Sequence, residues 1–415
     1  MNTNVTPAAN GKHKYLILGL LCLGWIINYF DKVAINVAVI PISQEFGLSE
    51  TQVGLILSSF FLSYAIMQPI GGSLADKFGS RKVILFSVIG WSLFTILTGA
   101  AWSFLSLIII RFLFGIGEGS YPSASSVAVA ESFPQHERAR AKSILTSATT
   151  IGAVLATLVA ASLSKHFGWQ AMFIVLGVLG LFLALLYAKF LHPAGAQAAK
   201  AKNTVDKLPL KELLKISMLW KLMAIYFGIS MVNWGMMSWM PSYMVKVRHL
   251  DMVSMGALAS IPAILSFFTV LGTGWMLDKK MVGREKYLIS VGSLIGILSL
   301  YLLSKAPSVA LVVTYQAFAS IGLGAAVTTT LTMPLKYISP SSVGAASGLI
   351  YLGGQIAGVI APTAMGFMIQ QFNGSYDAAF WLLIIATAIP LFVGITLRTG
   401  ALNRQEPPQA AASSS

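Results

Sequence analysis

Four ionisable side chains stand inside apolar runs of this sequence: Asp31 and Lys32 in WIINYFDKVAINVAV, Arg111 and Glu118 in SLIIIRFLFGIGEGSYPS. A charge at the centre of a bilayer costs about 2.5–3.5 kcal/mol on insertion scales, so four unpaired, lipid-facing charges would cost roughly 10–14 kcal/mol. They must face one another or water, and formally they sum to zero. At 1.5 Å per residue, Arg111 lies about 10 Å from the outer end of its span, Glu118 about 21 Å and Asp31 about 13 Å, so Asp31, Lys32 and Arg111 can share a level. Arg111 and Glu118 project from nearly the same helix face. One reading is two buried ion pairs that fix helix register. The other is a proton relay beside an anion site. Desolvation favours a protonated carboxyl and a nearby cation opposes it, so two carboxyls with different cation partners can titrate in different conformations.

The elements that must hold these groups follow from composition. The chain has 415 residues, 56% hydrophobic and 10% charged, with mean hydropathy +0.76. A soluble domain carries about 25% charged residues, which excludes an ordinary soluble enzyme. Apolar residues come in long runs rather than alternating strands, which excludes an outer-membrane barrel. The expected fold is an all-α integral membrane protein with twelve spans, at about 15–40, 51–73, 83–102, 104–130, 141–164, 169–190, 219–244, 252–277, 287–304, 308–333, 343–370 and 377–397. No cleavable signal peptide is expected. Cys22 is the single cysteine, so no disulfide framework and no thiol-ligated metal site are expected.

Charge placement predicts topology. With the N-terminus inside, about 22 of the 28 Lys and Arg fall on the inner side, and the outer loops hold Lys165, Lys246, Arg248 and Lys305. Both termini are expected in the cytoplasm, in a bacterial inner or plasma membrane. The expected organisation is a six-helix bundle over 1–190, a cytoplasmic linker over 191–218, a second six-helix bundle over 219–398 and a disordered tail over 399–415. Within the linker, LPLKELLKI could lie as a short amphipathic helix on the anionic leaflet. Trp234, Trp239 and Tyr243 read as an interface belt at the outer end of span seven, and Pro241 as a break in that helix.

Two loops repeat. GSLADKFGSRK (72–82) follows span two and GWMLDKKMVGREK (274–286) follows span eight. Each places Gly, Asp four residues later, Lys, then Gly and basic residues, as expected of halves related by internal repetition with a site between them. GSLADKFGSRK resembles the signature loop of the Major Facilitator Superfamily. INYFDKVAINVA (27–38), FFLSYAIMQPIGGSLADKFG (60–79), RFLFGIGEGSYPS (111–123), FGWQAMFIVLGVLG (167–180) and SWMPSYMV (238–245) are similar to its anion:cation symporter branch, which includes bacterial sugar-acid permeases and vesicular glutamate-type carriers. The resemblance implies alternating access by two rocking six-helix bundles.

In that pattern Gly72, Asp76, Lys77, Gly79, Arg81, Lys82 and, in the second loop, Asp278 are gating residues. Gly72 would permit close packing at the end of span two, and Asp76 would cap or pair across the bundles. Asp31 and Glu118 would carry the proton, the sole coupling species and no further cofactor, while Lys32 and Arg111 handle the anion. Tyr29, Tyr64, Gln68, Thr149, Asn233, Thr329, Tyr351 and Gln355 are candidates to complete the substrate site. The chain departs from the branch in three places. Lys32 replaces the usual Arg, giving a point charge rather than a bidentate fork. Tyr351 and Gln355 stand where sugar-acid relatives often carry asparagines. Beyond Lys221 at its cytoplasmic end, span seven has no Arg or Lys, unlike the glutamate-type carriers, which favours one anionic group on the substrate. The expectation is a proton-coupled symporter of a small organic anion such as a hexonate or hexuronate, monomeric, embedded in lipid and binding no nucleic acid. The alternatives are an antiporter or facilitator of the same fold and a carrier-derived sensor. No nucleophile–base pair or metal spacing supports an enzyme, and no phosphate loop supports a pump.

Overall fold

The computed structural model describes residues 11–192, 210–281, 283–338 and 342–397. Apart from short turns and connections these are helical, with no strand among them. The helices are α1 (Gly11–Glu45), α2 (Glu50–Phe78), α3 (Ser80–Gly99), α4 (Phe104–Gly119), α5 (Tyr121–Ser132), α6 (Gln135–Phe190), α7 (Leu210–Leu213), α8 (Ser217–Lys246), α9 (Met252–Lys279), α10 (Glu285–Ser304), α11 (Val309–Tyr337), α12 (Val343–Gln371) and α13 (Asp377–Ile395). Among the described residues, ten helices are long and apolar enough to cross a membrane. Two adjustments bring these to the twelve expected spans. Gly168 (φ 82°, ψ 162°) breaks the 56-residue α6 into two spans, in a conformation open only to glycine. The 30-residue α8 is long enough to span, although its Trp, Tyr, Ser and Asn dilute its hydropathy. Large apolar side chains such as Phe86, Leu185 and Phe392 are exposed on the outside, as a bilayer-facing surface requires.

Span four differs from the sequence reading: it is broken between α4 and α5 at Ser120. Pro122 has no N–H to return to the carbonyl of Glu118, four residues back, so the helix parts there. Gly71 of α2 seats against the break, where an added Cβ would meet Ser120 Cα at 2.4 Å. The close-packing glycine is therefore Gly71 and not Gly72, whose nearest neighbour, Ser123, is at an ordinary 3.8 Å. Three further expectations are corrected. Trp239 and Tyr243 are no interface belt; both are buried, Trp239 Nε1 donating to the Pro362 carbonyl at 2.9 Å and Tyr243 packing on Tyr376 and Phe380. Trp234 packs on Phe61 at 4.6 Å. Pro241 does not interrupt α8, which continues to Lys246. The amphipathic helix is a single turn, α7, and the rest of the linker (193–209) and the tail (398–415) lie outside the described residues.

α2 and α12 run against each other as an antiparallel seam between the halves. From the end bearing the 45–50 turn inward, Glu50 pairs with Lys246 of α8 (2.8 Å) and Gln370 Oε1 accepts from the Thr51 N–H (3.2 Å). Next, Gly366 lies on the Glu50 carbonyl and Gly54 on that of Pro362. Thr363 Oγ1 donates to Ser58 Oγ (2.8 Å), Gly358 seats Phe61, and Gln355 Nε2 donates to Gln68 Oε1 at 3.4 Å. Beyond Gln355 the seam ends. Tyr351 is 43% exposed, and a Cβ added at Gly348 or Gly344 would meet nothing within 4 Å. At the sealed end Lys165 also pairs with Asp251 at 3.4 Å. Hydrogen bonds from the side chain and backbone of Ser254 help hold the Asp251 carboxyl down at about 2, so it stays ionised throughout the physiological range.

Candidate functional site

The four charges lie together in the first half, just inside the inner end of the seam. Asp31 and Lys32 are adjacent on α1, so their side chains diverge by about 100° around the helix. Lys32 Nζ forms an ion pair with Glu118 Oε1 at 2.7 Å. Aromatic rings surround the same ammonium, with centroids of Tyr64 at 4.6 Å, Phe60 at 5.3 Å and Tyr29 at 5.4 Å. Ring faces attract a cation, so the ammonium is stabilised at membrane depth from several sides. Asp31 is fully buried and faces Arg111, with Thr95 beside it. Neither Asp31 oxygen has a hydrogen bond among the described residues.

Arg111 is 1% exposed. Its Nη2 donates to Thr98 Oγ1 at 2.9 Å, and its guanidinium lies over Phe114 (4.5 Å) and Phe173 (5.3 Å). The Pro122 break places Glu118 where the helix parts, opposite Lys32. The rise-based depths put Lys32 nearest Arg111, yet Lys32 pairs with the deeper Glu118. The long lysine stem spans the difference.

Lys32 and Arg111 line a cavity of about 20 Å³, room for one water. Asn36, Phe60, Phe61 and, from α8, Trp234 complete much of its wall. The first half thus contributes the cations and the second half neutral surface.

The remaining substrate candidates divide. Tyr29 and Tyr64 are at the ammonium. Gln68 and Gln355 meet across the seam, and Gln355 Oε1 is buried with no hydrogen bond among the described residues. Tyr351 stands at the open mouth with its ring edge-on to Tyr226 at 5.6 Å. Asn233 is exposed. Thr149 and Thr329 are not brought to the cluster by any hydrogen bond: each hydroxyl donates within its own helix, to Thr146 and Ala325 respectively. Sequence reasoning missed Thr95, Thr98 and Asn28. The spacing of Ser87, Trp91, Thr95 and Thr98 along one face of α3, polar groups within an apolar span, is the signal that could have found the threonines.

Among the gating residues, Gly79 (φ 87°) makes the turn between α2 and α3. Arg81 Nη2 donates to the Ala188 carbonyl at 2.6 Å, tying that turn to the end of α6. Lys77 and Lys82 are exposed. The side chains of Asp76 and Asp278 lie outside the described residues.

Comparison with known proteins fits this architecture. The family model for the Major Facilitator Superfamily matches residues 21–305 and again 280–414. The hexuronate transporter of Bacillus subtilis (strain 168) is 28% identical over 408 residues, covering 93% of this chain and 94% of that one. A probable sulfoacetate transporter of Cupriavidus necator is 31% identical over 402 residues, covering 89% and 90%. A probable galactarate/D-glucarate transporter of Escherichia coli (strain K12) is 29% identical over 445 residues, covering 97% and 98%. The crystal structure of a bacterial homologue of the human lysosomal transporter Spinster, inward-facing and occupied, superposes with a TM-score of 0.83 at 20% identity, covering 94% and 98%, which shows the fold.

Proposed function

The chain belongs to the Major Facilitator Superfamily, a family of membrane transporters and not of enzymes, and from that premise we propose that it is a proton-coupled symporter of a small organic anion of the sugar-acid class. One observation carries the reading: the cation best placed for an anion, Lys32, is already held by Glu118 at 2.7 Å beside a cavity that Arg111 also lines. Lys32 is a single point charge. It serves Glu118 or a substrate carboxylate, but not both at full strength. Protonation of Glu118 removes its claim on Lys32 and frees the ammonium for the anion. The four groups sum to zero, and adding one anion with one proton preserves that neutrality. Net charge at membrane depth is costly, so the loaded site favours co-entry of the two.

The substrates named for the relatives are hexuronate, galactarate/D-glucarate and sulfoacetate, all organic anions. The amides of Gln68 and Gln355 and the hydroxyls of Tyr29 and Tyr351 offer neutral hydrogen bonds suited to a hydroxylated chain. The sealed end bears the lysine-poor loops and the open end the lysine-rich ones, so we take the open end as cytoplasmic. The state described is then inward-open, with both termini in the cytoplasm of a bacterial cell. The two helix bundles meet along the α2–α12 seam and rock about it, and one chain contains the whole site.

Proteoliposome uptake screened over hexuronates, aldarates and short carboxylates tests this. Accumulation should collapse when an ionophore removes the proton gradient. Accumulation that persists without any ion gradient would refute symport.

A further inference from the structure

Asn28 is at odds with its surroundings. It lies on α1 one turn before Asp31, is 1% exposed, and neither its Nδ2 nor its Oδ1 makes a well-formed hydrogen bond among the described residues, although Glu118 is within looser hydrogen-bonding reach. A buried amide this poorly satisfied destabilises a fold, and an apolar side chain of similar shape would be more favourable in a purely structural role. Its neighbours are the two carboxylates. Asp31 follows at i+3 on the same helix face, and Glu118 of α4 lies beside the amide. Both Asp31 oxygens and Glu118 Oε2 likewise lack hydrogen bonds among the described residues.

The charged and titratable groups acting on this trio come from α1, α2 and α4. From α1 come Lys32, which holds Glu118, and Tyr29. From α2 comes Tyr64, within electrostatic range of Glu118. α4 contributes Arg111, which acts on both carboxylates. α3 contributes the neutral Thr95, whose hydroxyl donates to the Trp91 carbonyl.

A primary amide differs from all of these in carrying a donor and an acceptor on one planar group. Its Nδ2–H can be taken by an ionised carboxylate, and its Oδ1 can accept from a protonated one. We propose that Asn28 is a positioning residue that makes Asp31 and Glu118 share one proton, donating to whichever is ionised and accepting from whichever is protonated. This rests on the proton-coupled reading above and deepens it. When a substrate anion draws Lys32 away, Glu118 takes the proton and its O–H turns to Asn28 Oδ1. Nδ2–H is then directed at Asp31, which remains the anion facing Arg111. Asn28 touches no substrate and never carries the proton itself; it acts by hydrogen-bonding the carboxyl groups that do.

The test needs no substrate. Full-length protein in liposomes is titrated with pH while the infrared band of protonated carboxyl groups is followed, with Asp31→Asn and Glu118→Gln assigning the signal. The wild type should lose its two protons in two well-separated steps. In Asn28→Leu the separation should shrink by about one pH unit or more, the size of one lost hydrogen bond to a charged group, while thermal stability is unchanged or higher. An Asn28→Leu protein that titrates as wild type overturns the proposal. If Asn28→Leu does not fold, the shape-matched pair Asn28→Thr and Asn28→Val decides. The hydroxyl variant should keep a wider separation than the methyl variant, and identical titrations overturn the proposal. Ionophore sensitivity of wild-type uptake is scored separately. Uptake indifferent to the proton gradient with the two-step titration intact would refute symport and leave the Asn28 linkage standing. Symport with an unchanged Asn28→Leu titration would refute the linkage alone.

Discussion

The two halves of the molecule share a frame and differ in what they bury. Counted back from the helix caps Ser49 and Asp251, Asp31 and Asn233 each stand eighteen residues away, followed by Lys32 and Trp234. Counted forward from the caps Ser103 and Ser308, Arg111 and Gln316 are each eighth, Glu118 and Leu323 fifteenth, and Glu131 and Lys336 twenty-eighth. The last pair keeps a common role with altered chemistry: Glu131 accepts from Ser80 at the start of α3 at 2.5 Å, and Lys336 pairs with Glu285 at the start of α10 at 3.4 Å. The braces at the helix ends are thus retained in both halves. The mid-membrane charges are not: every one in the first half faces a neutral counterpart in the second. A repeated scaffold sets where helices start and stop, while the chemistry is concentrated in one copy and the other supplies aromatic and amide surface.

That contrast ranks the expected effects. Arg111→Ala should be the most damaging, because it leaves Asp31 buried without its cation, a loss of about 3–5 kcal/mol on breaking a buried charge pair. Thermal unfolding in detergent and anion binding should both suffer, whereas Gln316→Ala, the same place in the second half, should fold. Comparable losses in the two variants would break the asymmetry.

Next is the seam. Gly366→Val places bulk where even a Cβ would meet the Glu50 carbonyl at 2.3 Å. It should prop the sealed end apart and raise labelling of a cysteine placed at Ser58, with thermal stability falling by about 1–3 kcal/mol as for overpacking. Unchanged labelling would mean that the α2–α12 contact is not the gate.

Asp76→Asn is expected to slow turnover more than it weakens affinity, since its loop is remote from the Lys32 cluster. A variant with intact maximal rate and greatly weakened binding would count against a gating role.

Smallest of all should be Thr329→Val. Its hydroxyl is held by the Ala325 carbonyl, so uptake should remain within about two-fold of wild type, as for loss of one hydrogen bond worth about 0.5 kcal/mol or less net. A ten-fold loss would bring the second half's span ten into the site.

Much of this architecture is legible in the amino-acid sequence alone. Spans announce themselves through hydropathy because a bilayer leaves the backbone no alternative to the helix. Asp31, Lys32, Arg111 and Glu118 stand out because charge is so rare there. What the sequence hides depends on orientation. Gly71 and Gly72 differ by about 100° around the helix, and only contact with Ser120 tells which one packs. Trp239 and Tyr243 have the composition of an interface belt, but an aromatic at a span end looks the same in sequence whether it meets headgroups or Tyr376. Pro241 has the sequence character of a break, although in a membrane helix neighbouring groups can satisfy what proline frees. Thr95 and Thr98 leave only a faint polar stripe along α3, and Asn28 no such periodic signal; their importance comes from facing the buried charges, which packing reveals.

The central claim is that Glu118 surrenders Lys32 by taking a proton. Glutamine mimics the protonated acid and cannot release the proton. Reconstituted Glu118→Gln should therefore still bind the anion and exchange it by counterflow while failing to accumulate it under a proton gradient. If Glu118→Gln accumulates the anion against its gradient as wild type does, Glu118 is not the essential proton carrier and the claim is wrong.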